Sequence, residues 1–387
     1  MPESPAWIVP GYNSAVSRRV YIDWARGLAV LLMIEAHTAD AWTRAADRHS
    51  LAFRDATVLG GFAAPLFLWL AGLGVAMSAS RTAERTGSRA MAVEGACRRG
   101  LEIFILAFLF RLQGFVITPG GSPLTLFRVD VLNIMGPAMV ATGLLWVLAR
   151  ATAGRVLLYA VAASSIAMVT PLVRTTSLFG ALPVWVQWYL RPSGDFTTFT
   201  LFPWAGFVFA GGAAGALIAA SSGQRMERRL HLVLGACGAA LITFGFYAAG
   251  RPSIYRVSSF WTSSPTWFAI RVGIIMAAAS AIFAVSLIQA FPVPAFVSSW
   301  QRRLAVLGRS SLFVYWIHVE LVYGYATWLI RGRLPLWGTA IAFVAFCALM
   351  YGAIVLRDRV VGTWRARRAG PTPQPARQAE AASEASV

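Results

Sequence analysis

The chain has 387 residues, of which 57% are hydrophobic and only 13% are charged. A soluble domain carries about 25% charged residues, so this composition excludes an ordinary soluble protein and indicates a membrane protein. The formal net charge of +18 comes from 34 Arg, with no Lys, against 16 acidic residues. Because the arginines lie mostly between apolar runs, they indicate membrane topology and argue against nucleic-acid binding. The three cysteines, Cys97, Cys237 and Cys347, are far apart and form no metal-binding or disulfide pattern.

Apolar runs long enough to cross a bilayer recur along the sequence. They predict an all-α fold, namely a polytopic integral membrane helix bundle of about ten transmembrane helices. The polar first 18 residues show no cleavage signature, so the first span is predicted to be a retained helix. Residues 177–190 leave open a further re-entrant or interfacial segment. The predicted spans are 20–41, 58–79, 100–118, 129–149, 156–173, 200–220, 231–250, 265–290, 304–330 and 335–356.

The arginine distribution predicts the orientation of the bundle. With a cytoplasmic N-terminus, the inside segments hold 21 Arg, counting Arg309 at the inner end of the ninth span, and the outside loops hold 10. The other three, Arg26, Arg111 and Arg271, lie deeper within spans. This excess predicts that both termini are cytoplasmic. The sequence then divides into a short cytoplasmic segment (1–18), a transmembrane domain (19–357) and a cytoplasmic disordered tail (358–387).

The first span, "YIDWARGLAVLLMIEAHTADAW", contains charged residues that a membrane helix normally excludes. Arg26 and His37 are eleven positions apart, which places them within about 20° of each other and about 16 Å apart along a helix. Asp23 and Asp40 fall within about 60° of the same stripe, whereas Glu35 points away. We predict that this stripe faces the bundle interior or a water-filled cleft. An ion pair of Arg26 with Asp23 and a wet helix-end histidine are the structural alternatives.

Later spans contribute further polar residues, and the predicted topology brings most of them to the outer half of the bundle. An acid beside an apolar run can accept a proton from a substrate, or it can simply cap a helix. Small residues in the second and sixth spans favour close helix packing. The polar residues are Arg111 and Gln113 in the third span, Arg128, Asp130 and Asn133 in "FRVDVLNIMG", Trp204 in the sixth, Arg271 in the eighth, and His318 and Glu320 in the ninth.

A polar path from the cytoplasmic side to an outer pocket would suit chemistry across a membrane, with a donor entering from inside and an acceptor met outside. It would equally suit a transporter or flippase of a polar lipid or solute. The residues alone do not choose between these two classes.

Five motifs follow one another along the chain: "YIDWARGLAVLLMIEAHT", "AAPLFLWLAGLGVAMS", "RVDVLNIMG", "LFPWAGFVFAGGAAG" and "LGRSSLFVYWIHVE". In this order the chain resembles the transmembrane acyltransferase superfamily, and most of all the catalytic domain of heparan-alpha-glucosaminide N-acetyltransferase and its bacterial relatives. The resemblance implies transfer of an acetyl group from cytoplasmic acetyl-CoA to a sugar on the far side. It maps the catalytic histidine onto His37 and the first motif position onto Arg26. The eukaryotic enzyme has an amide residue at that first position, so Arg26 follows the O-acyltransferase form and leaves N- versus O-acylation open.

Under this resemblance, His37 acts as a general base or as a covalent acyl carrier, and Asp130 is predicted to orient it. The predicted oxyanion donors and substrate-binding residues are Arg128, Asn133 and His318, joined by Asp23 and Trp204. No metal is predicted. Cationic contacts for the CoA phosphates are assigned to Arg26, Arg98, Arg99, Arg302 and Arg303. Four outer tryptophans, Trp185, Trp188, Trp261 and Trp267, either stack on a sugar or form an interfacial belt.

The predicted partners are acyl-CoA, a glycan or amino sugar of the cell envelope and the lipid bilayer, with no nucleic acid. The predicted location is the bacterial cytoplasmic (inner) membrane, crossed many times. The sequence leaves open the acceptor, the acyl chain length and whether the chain forms a homodimer.

Overall fold

The computed structural model describes residues 19–117, 122–288 and 294–369. Within these residues the chain is helical and contains no β-strand beyond two isolated bridges. The helices are α1 (Val20–Trp42), α2 (Leu51–Gly60), α3 (Ala63–Thr86), α4 (Arg89–Ile117), α5 (Val131–Leu148), α6 (Thr152–Thr175), α7 (Val184–Leu190), α8 (Leu201–Ala220), α9 (Gly223–Ala249), α10 (Pro265–Ile288), α11 (Ala295–Arg309), α12 (Ser311–Tyr323) and α13 (Leu336–Ala369).

Eight segments of the described chain are long and apolar enough to cross a membrane, or nine if α11 and α12 together form one span. The polytopic helical membrane fold predicted from the sequence is therefore confirmed. Helix α1 has the length of a span, but every 18-residue stretch of it holds at least three charged side chains. Its charge is tolerated because α1 lies inside the bundle and contacts α2, α3, α10, α11, α12 and α13.

The ninth predicted span, 304–330, is wrong as a single helix. Helices α11 and α12 meet at Ser310 and are bent by 81°. The bend accompanies a close crossing of α11 over α1, where a Cβ at Gly27 would overlap the carbonyl oxygen of Leu304, and one at Gly308 would overlap that of Asp23. Because both positions lack a side chain, the two backbones can touch, and α12 then turns away along the C-terminal half of α1.

The structure also gives the bounds of three other predicted segments. Residues 177–190 form a short turn and the seven-residue helix α7, about 10 Å long and too short to span a bilayer. Helix α4 begins at Arg89, well before the predicted start at residue 100. Helix α13 continues to Ala369, so residues 358–369 of the predicted tail are helical, and the predictions for 1–18 and 370–387 lie outside the described residues.

Helices α3 and α8 form the tightest contact of the main core, and glycines permit it. A Cβ at Gly72 would overlap the carbonyl oxygen of Val208, and a Cβ at Gly211 would overlap that of Trp69. Small residues at such positions let membrane helices approach backbone to backbone. This contact fixes α3 as one wall of the cavity described below.

We expect Gly72→Ala to destabilise the protein by about 2 kcal/mol, because the added methyl group forces α3 and α8 apart. Gly352→Ala is the matched control, since the corresponding Cβ on α13 meets nothing within 4 Å, and alanine favours a helix by about 0.5–1 kcal/mol over glycine. The midpoint of thermal unfolding in detergent should fall for Gly72→Ala and stay level or rise for Gly352→Ala. Equal midpoints for the two variants would refute the packing argument.

Candidate active site

A large cavity of about 1200 Å³ opens inside the bundle along α1. Arg26, His37 and Asp40 all line it. Arg26 and His37 are separated by about 16 Å of helix, and these two levels are called here the Arg26 end and the His37 end. Asp23 does not line the cavity; it is buried beside Arg26, with 3.8 Å between Oδ1 and Nη1. Glu35 also lies outside the lining, against Gly60.

His37 forms a hydrogen bond with His318 on α12, with 2.8 Å between His37 Nδ1 and His318 Nε2. His318 is completely buried. Its Nδ1 lies 2.9 Å from the carbonyl oxygens of both Val314 and Tyr315. The two imidazole rings stack with their centroids 5.0 Å apart.

The surroundings of His318 determine which nitrogen of His37 carries the proton. Carbonyl oxygens only accept hydrogen bonds, so Nδ1 of His318 must be protonated to donate to Val314 and Tyr315. In a neutral imidazole the other nitrogen, Nε2, is then an acceptor. His37 must donate its Nδ1–H to that acceptor, which leaves Nε2 of His37 unprotonated. His37, which lines the cavity, thus has the tautomer that a general base or a nucleophile requires.

Tyr323, at the end of α12, completes the surroundings of His37. Its ring stands edge-on to the imidazole at 5.7 Å between centroids, and its hydroxyl donates to Asp40 Oδ2 at 2.8 Å. Arg48 donates a hydrogen bond to the carbonyl oxygen of Asp40, and its Nη1 lies 3.9 Å from Asp40 Oδ1. These contacts position a phenol and a carboxylate beside the reactive ring.

Asp130 does not orient His37 as predicted from the sequence. It accepts from Arg111 Nη2 at 2.5 Å and from the backbone N–H of Val131 at 2.7 Å. The hydrogen-bonding position next to His37 belongs to His318 instead. Asp130 therefore caps α5 and pairs with Arg111 at the cavity wall.

The predicted oxyanion donors occupy different places. Asn133 is buried and accepts the backbone N–H of Asp130, as part of the α5 cap, outside the cavity lining. His318 has both ring nitrogens engaged, so it cannot donate to a substrate in this arrangement. Arg128 lines the cavity and donates to Thr198 Oγ1 at 3.0 Å, and Trp204 also lines it. Arg128 and Trp204 are thus the two members of the predicted set, besides His37, Arg26 and Asp130, that reach the cavity.

The Arg26 end of the cavity carries further cations. Arg309 follows Gly308, which touches the α1 backbone at Asp23, one helical turn before Arg26. Arg99 lies on α4 about 18 Å from Arg111, the partner of Asp130. Both Arg309 and Arg99 line the cavity. Of the other predicted phosphate contacts, Arg98, Arg302 and Arg303 lie outside this lining and are exposed.

Sequence reasoning missed Tyr323, Arg309 and Tyr315, which all line the cavity. The "LGRSSLFVYWIHVELVY" stretch contains all three. On a straight helix Tyr315 would lie about 120° around the axis from Arg309 and about 80° from Tyr323, so the common placement of the three follows from the bend between α11 and α12. Within the described residues, no group of three or more His, Cys, Asp or Glu is arranged to hold a metal ion.

The fold and the cavity define a class of protein: a multi-pass membrane protein with an interior cavity lined by a histidine whose Nδ1 is hydrogen-bonded to a second, buried histidine. A family model described as an acyltransferase domain matches residues 19–356. The chain therefore belongs to this acyltransferase family and is a membrane acyltransferase. No curated protein matches the sequence.

Proposed function

We propose that the protein transfers an acetyl or other short acyl group from cytoplasmic acetyl-CoA to a sugar or amino sugar of the cell envelope on the outer side, at His37. The observation that carries this proposal is the hydrogen bond from His37 Nδ1 to His318 Nε2 on the wall of the cavity. It supplies an oriented base at the outer half of a space that also reaches the cations near Arg26.

In direct transfer, Nε2 of His37 accepts the proton of the acceptor hydroxyl or amine as that atom attacks the thioester carbonyl carbon. The tetrahedral intermediate collapses, the carbon–sulfur bond breaks, and the imidazolium returns the proton to the CoA thiolate. In covalent transfer, Nε2 attacks the thioester carbonyl carbon, the carbon–sulfur bond breaks and the CoA thiolate leaves. The acceptor oxygen or nitrogen then attacks the acyl carbon, the carbon–nitrogen bond to His37 breaks, and the acceptor proton passes through the freed Nε2 to the CoA thiolate. The positive charge of Arg128 or Arg111 would stabilise the oxyanion in either route.

The donor would enter from the Arg26 end. CoA carries several phosphate charges, and guanidinium groups bind phosphate through paired hydrogen bonds. Arg26, Arg99 and Arg309 line the cavity there. The cytoplasmic location of this end follows from the arginine distribution and is part of the proposal.

The acceptor would reach His37 from the outer side. The resemblance to heparan-alpha-glucosaminide N-acetyltransferase suggests an amino sugar, whereas Arg26 at the first motif position follows the O-acylating form. The proposal therefore covers an envelope glycan acylated on nitrogen or oxygen, by a protein of the bacterial inner membrane. The acyltransferase family match favours this reading over the transporter or flippase that the buried charges also fit.

The proposal predicts saturable binding of radiolabelled acetyl-CoA to the purified protein in detergent. Arg26→Ala should weaken this binding about tenfold or more, because a charge-assisted contact to phosphate is lost. Arg309→Ala, which removes an exposed cation from the same end, should weaken it as well.

Arg228→Ala is the matched control, since Arg228 is an exposed arginine of α9 outside the cavity lining. Its affinity for acetyl-CoA should equal that of the wild type. Absence of acetyl-CoA binding by the wild type would favour a transporter or flippase instead.

A further inference from the structure

Arg271 of α10 reaches the cavity without an anionic partner. It lies in the second turn of a membrane-spanning helix, and charged side chains within such helices are rare and mostly face the bundle interior. Within the described residues it makes no ion pair and no hydrogen bond, and its Nε is buried. Such a cation is normally paired, because desolvation without a counter-charge is unfavourable.

Two tryptophans hold this guanidinium in place. Its central carbon lies 4.8 Å from the ring centroid of Trp267 and 5.9 Å from that of Trp204. Trp267 is buried and Trp204 lines the cavity. Aromatic faces partly stabilise a cation, yet they leave the in-plane N–H groups of the guanidinium unused. The cradle therefore fixes the side chain while its donors remain available.

Arg271 lies at the His37 end of the cavity. Its Nη2 is 3.9 Å from the position that a Cβ on Gly61 would occupy, and the preceding Gly60 packs against Ala36 of α1. His37 is the next residue along that helix. Acceptor groups bound at Arg271 would thus lie at the level of the reactive imidazole.

A second cation lies near Arg271 in the cavity lining: Arg128 donates to Thr198, and the next residue, Phe199, packs edge-on against Trp204, which also contacts Arg271. Arg128 contacts Thr198 through one guanidinium nitrogen, and its Nε is buried without a partner.

The acids that line the His37 end are already engaged, Asp130 by Arg111 and Asp40 by Tyr323. Within the described residues neither Arg271 nor Arg128 forms an ion pair with a carboxylate, although both side chains line the cavity.

We infer that Arg271 and Arg128 form a subsite for an anionic substituent of the acceptor, a phosphate or carboxylate carried by the sugar. This inference rests on the proposed function, since it assigns the acceptor class for the same cavity. A neutral sugar would leave both cations unpaired, whereas an anionic sugar would satisfy them and hold its hydroxyl or amino group near His37.

The test is equilibrium binding of radiolabelled glucosamine 6-phosphate to the full-length protein in detergent. The wild type should bind it saturably, and Arg271→Gln and Arg128→Gln should each weaken binding about 10- to 100-fold. Arg271→Lys keeps the charge and should recover part of the loss. Arg54→Gln is the control, because it removes an exposed arginine from α2, outside the cavity lining, and should bind as the wild type does.

Competition identifies what the subsite recognises. Unlabelled glucosamine should fail to displace the probe. Displacement by both glucuronate and glucosamine 6-phosphate would mean that the subsite accepts a carboxylate or a phosphate. Displacement by glucosamine 6-phosphate but not by glucuronate would mean that the subsite is specific for phosphate. The inference is overturned if the wild type binds no probe saturably, if Arg271→Gln binds like the wild type, or if glucosamine competes equally. It also fails if Arg271→Gln loses acetyl-CoA binding to the same degree, since Arg271 would then serve the donor.

The binding test needs no acyl transfer, so the two proposals fail separately. Acetyl-CoA turnover without anionic-sugar binding would leave the proposed function standing and remove the subsite. Anionic-sugar binding without any acetyl-CoA turnover would leave the anion subsite standing and remove the proposed function.

Discussion

His37→Ala is expected to lower the rate of acetyl-CoA turnover about a thousandfold, within the range of about 10² to 10⁴ that a general base contributes. The substitution removes the nitrogen that takes the acceptor proton, or that carries the acyl group. The measurement is release of free CoA from radiolabelled acetyl-CoA by the purified protein, with water or a sugar as acceptor. Acetyl-CoA affinity should stay close to the wild-type value, because the CoA phosphates bind at the Arg26 end.

Two further variants separate chemistry from folding. His37→Asn keeps a donor toward His318 Nε2 but offers no base, so it should be as inactive as His37→Ala while unfolding at the wild-type temperature. His49→Ala removes an exposed histidine from the loop after α1 and should retain full activity. Wild-type turnover in either His37 variant would remove His37 from the mechanism.

His318→Leu is expected to lower kcat about 10- to 100-fold while leaving KM for acetyl-CoA unchanged. His318 does not line the cavity and acts as a positioning residue, by accepting the Nδ1–H of His37. Loss of a hydrogen-bond partner that fixes the tautomer and orientation of a functional histidine has an effect of this size at metal sites. Without the acceptor, the ring of His37 can rotate and present the protonated nitrogen to the cavity.

His318→Gln should recover part of the lost kcat, because its amide oxygen can reach the position of Nε2 and accept the same proton. His231→Leu is the matched control: His231 is also buried and stacks on Phe283, outside the cavity lining. If His318 were only a packing residue, His318→Gln would be no better than His318→Leu, and the positioning role would be wrong.

The length of the apolar runs predicted the membrane fold, and helical periodicity predicted that Arg26 and His37 lie on one face. Both inferences are local: a run of apolar residues determines a span, and eleven positions at 100° each return to nearly the same face. The structure places both side chains on one cavity because α1 is continuous between them.

The partner of His37 could not be predicted in this way. His318 lies 281 residues further along the chain, and its approach depends on the bend between α11 and α12. That bend accompanies the close crossing of α1 and α11, which Gly27 and Gly308 permit and which the sequence alone does not show. The sequence-based prediction therefore assigned His318 as a donor to the substrate and assigned Asp130 as the residue that orients His37.

The surroundings of Arg271 also depend on helix packing that the sequence does not show. Its position early in the eighth span is typical of a side chain that extends to the membrane surface. The i,i+4 spacing could have indicated the contact with Trp267, but not the contact with Trp204 on another helix. Trp204 and Trp267 lie 67 and 4 residues away in the chain, on α8 and α10. Only the packing of those helices shows that the cation faces the cavity.

The position of a bound acetyl-CoA analogue, determined by electron cryo-microscopy of the full-length protein, tests the central claim most directly. The account predicts that the acetyl group lies in the cavity beside Nε2 of His37 and that the phosphates extend toward Arg26. An analogue bound elsewhere, or bound with its acetyl group away from His37, would contradict acyl transfer at this site.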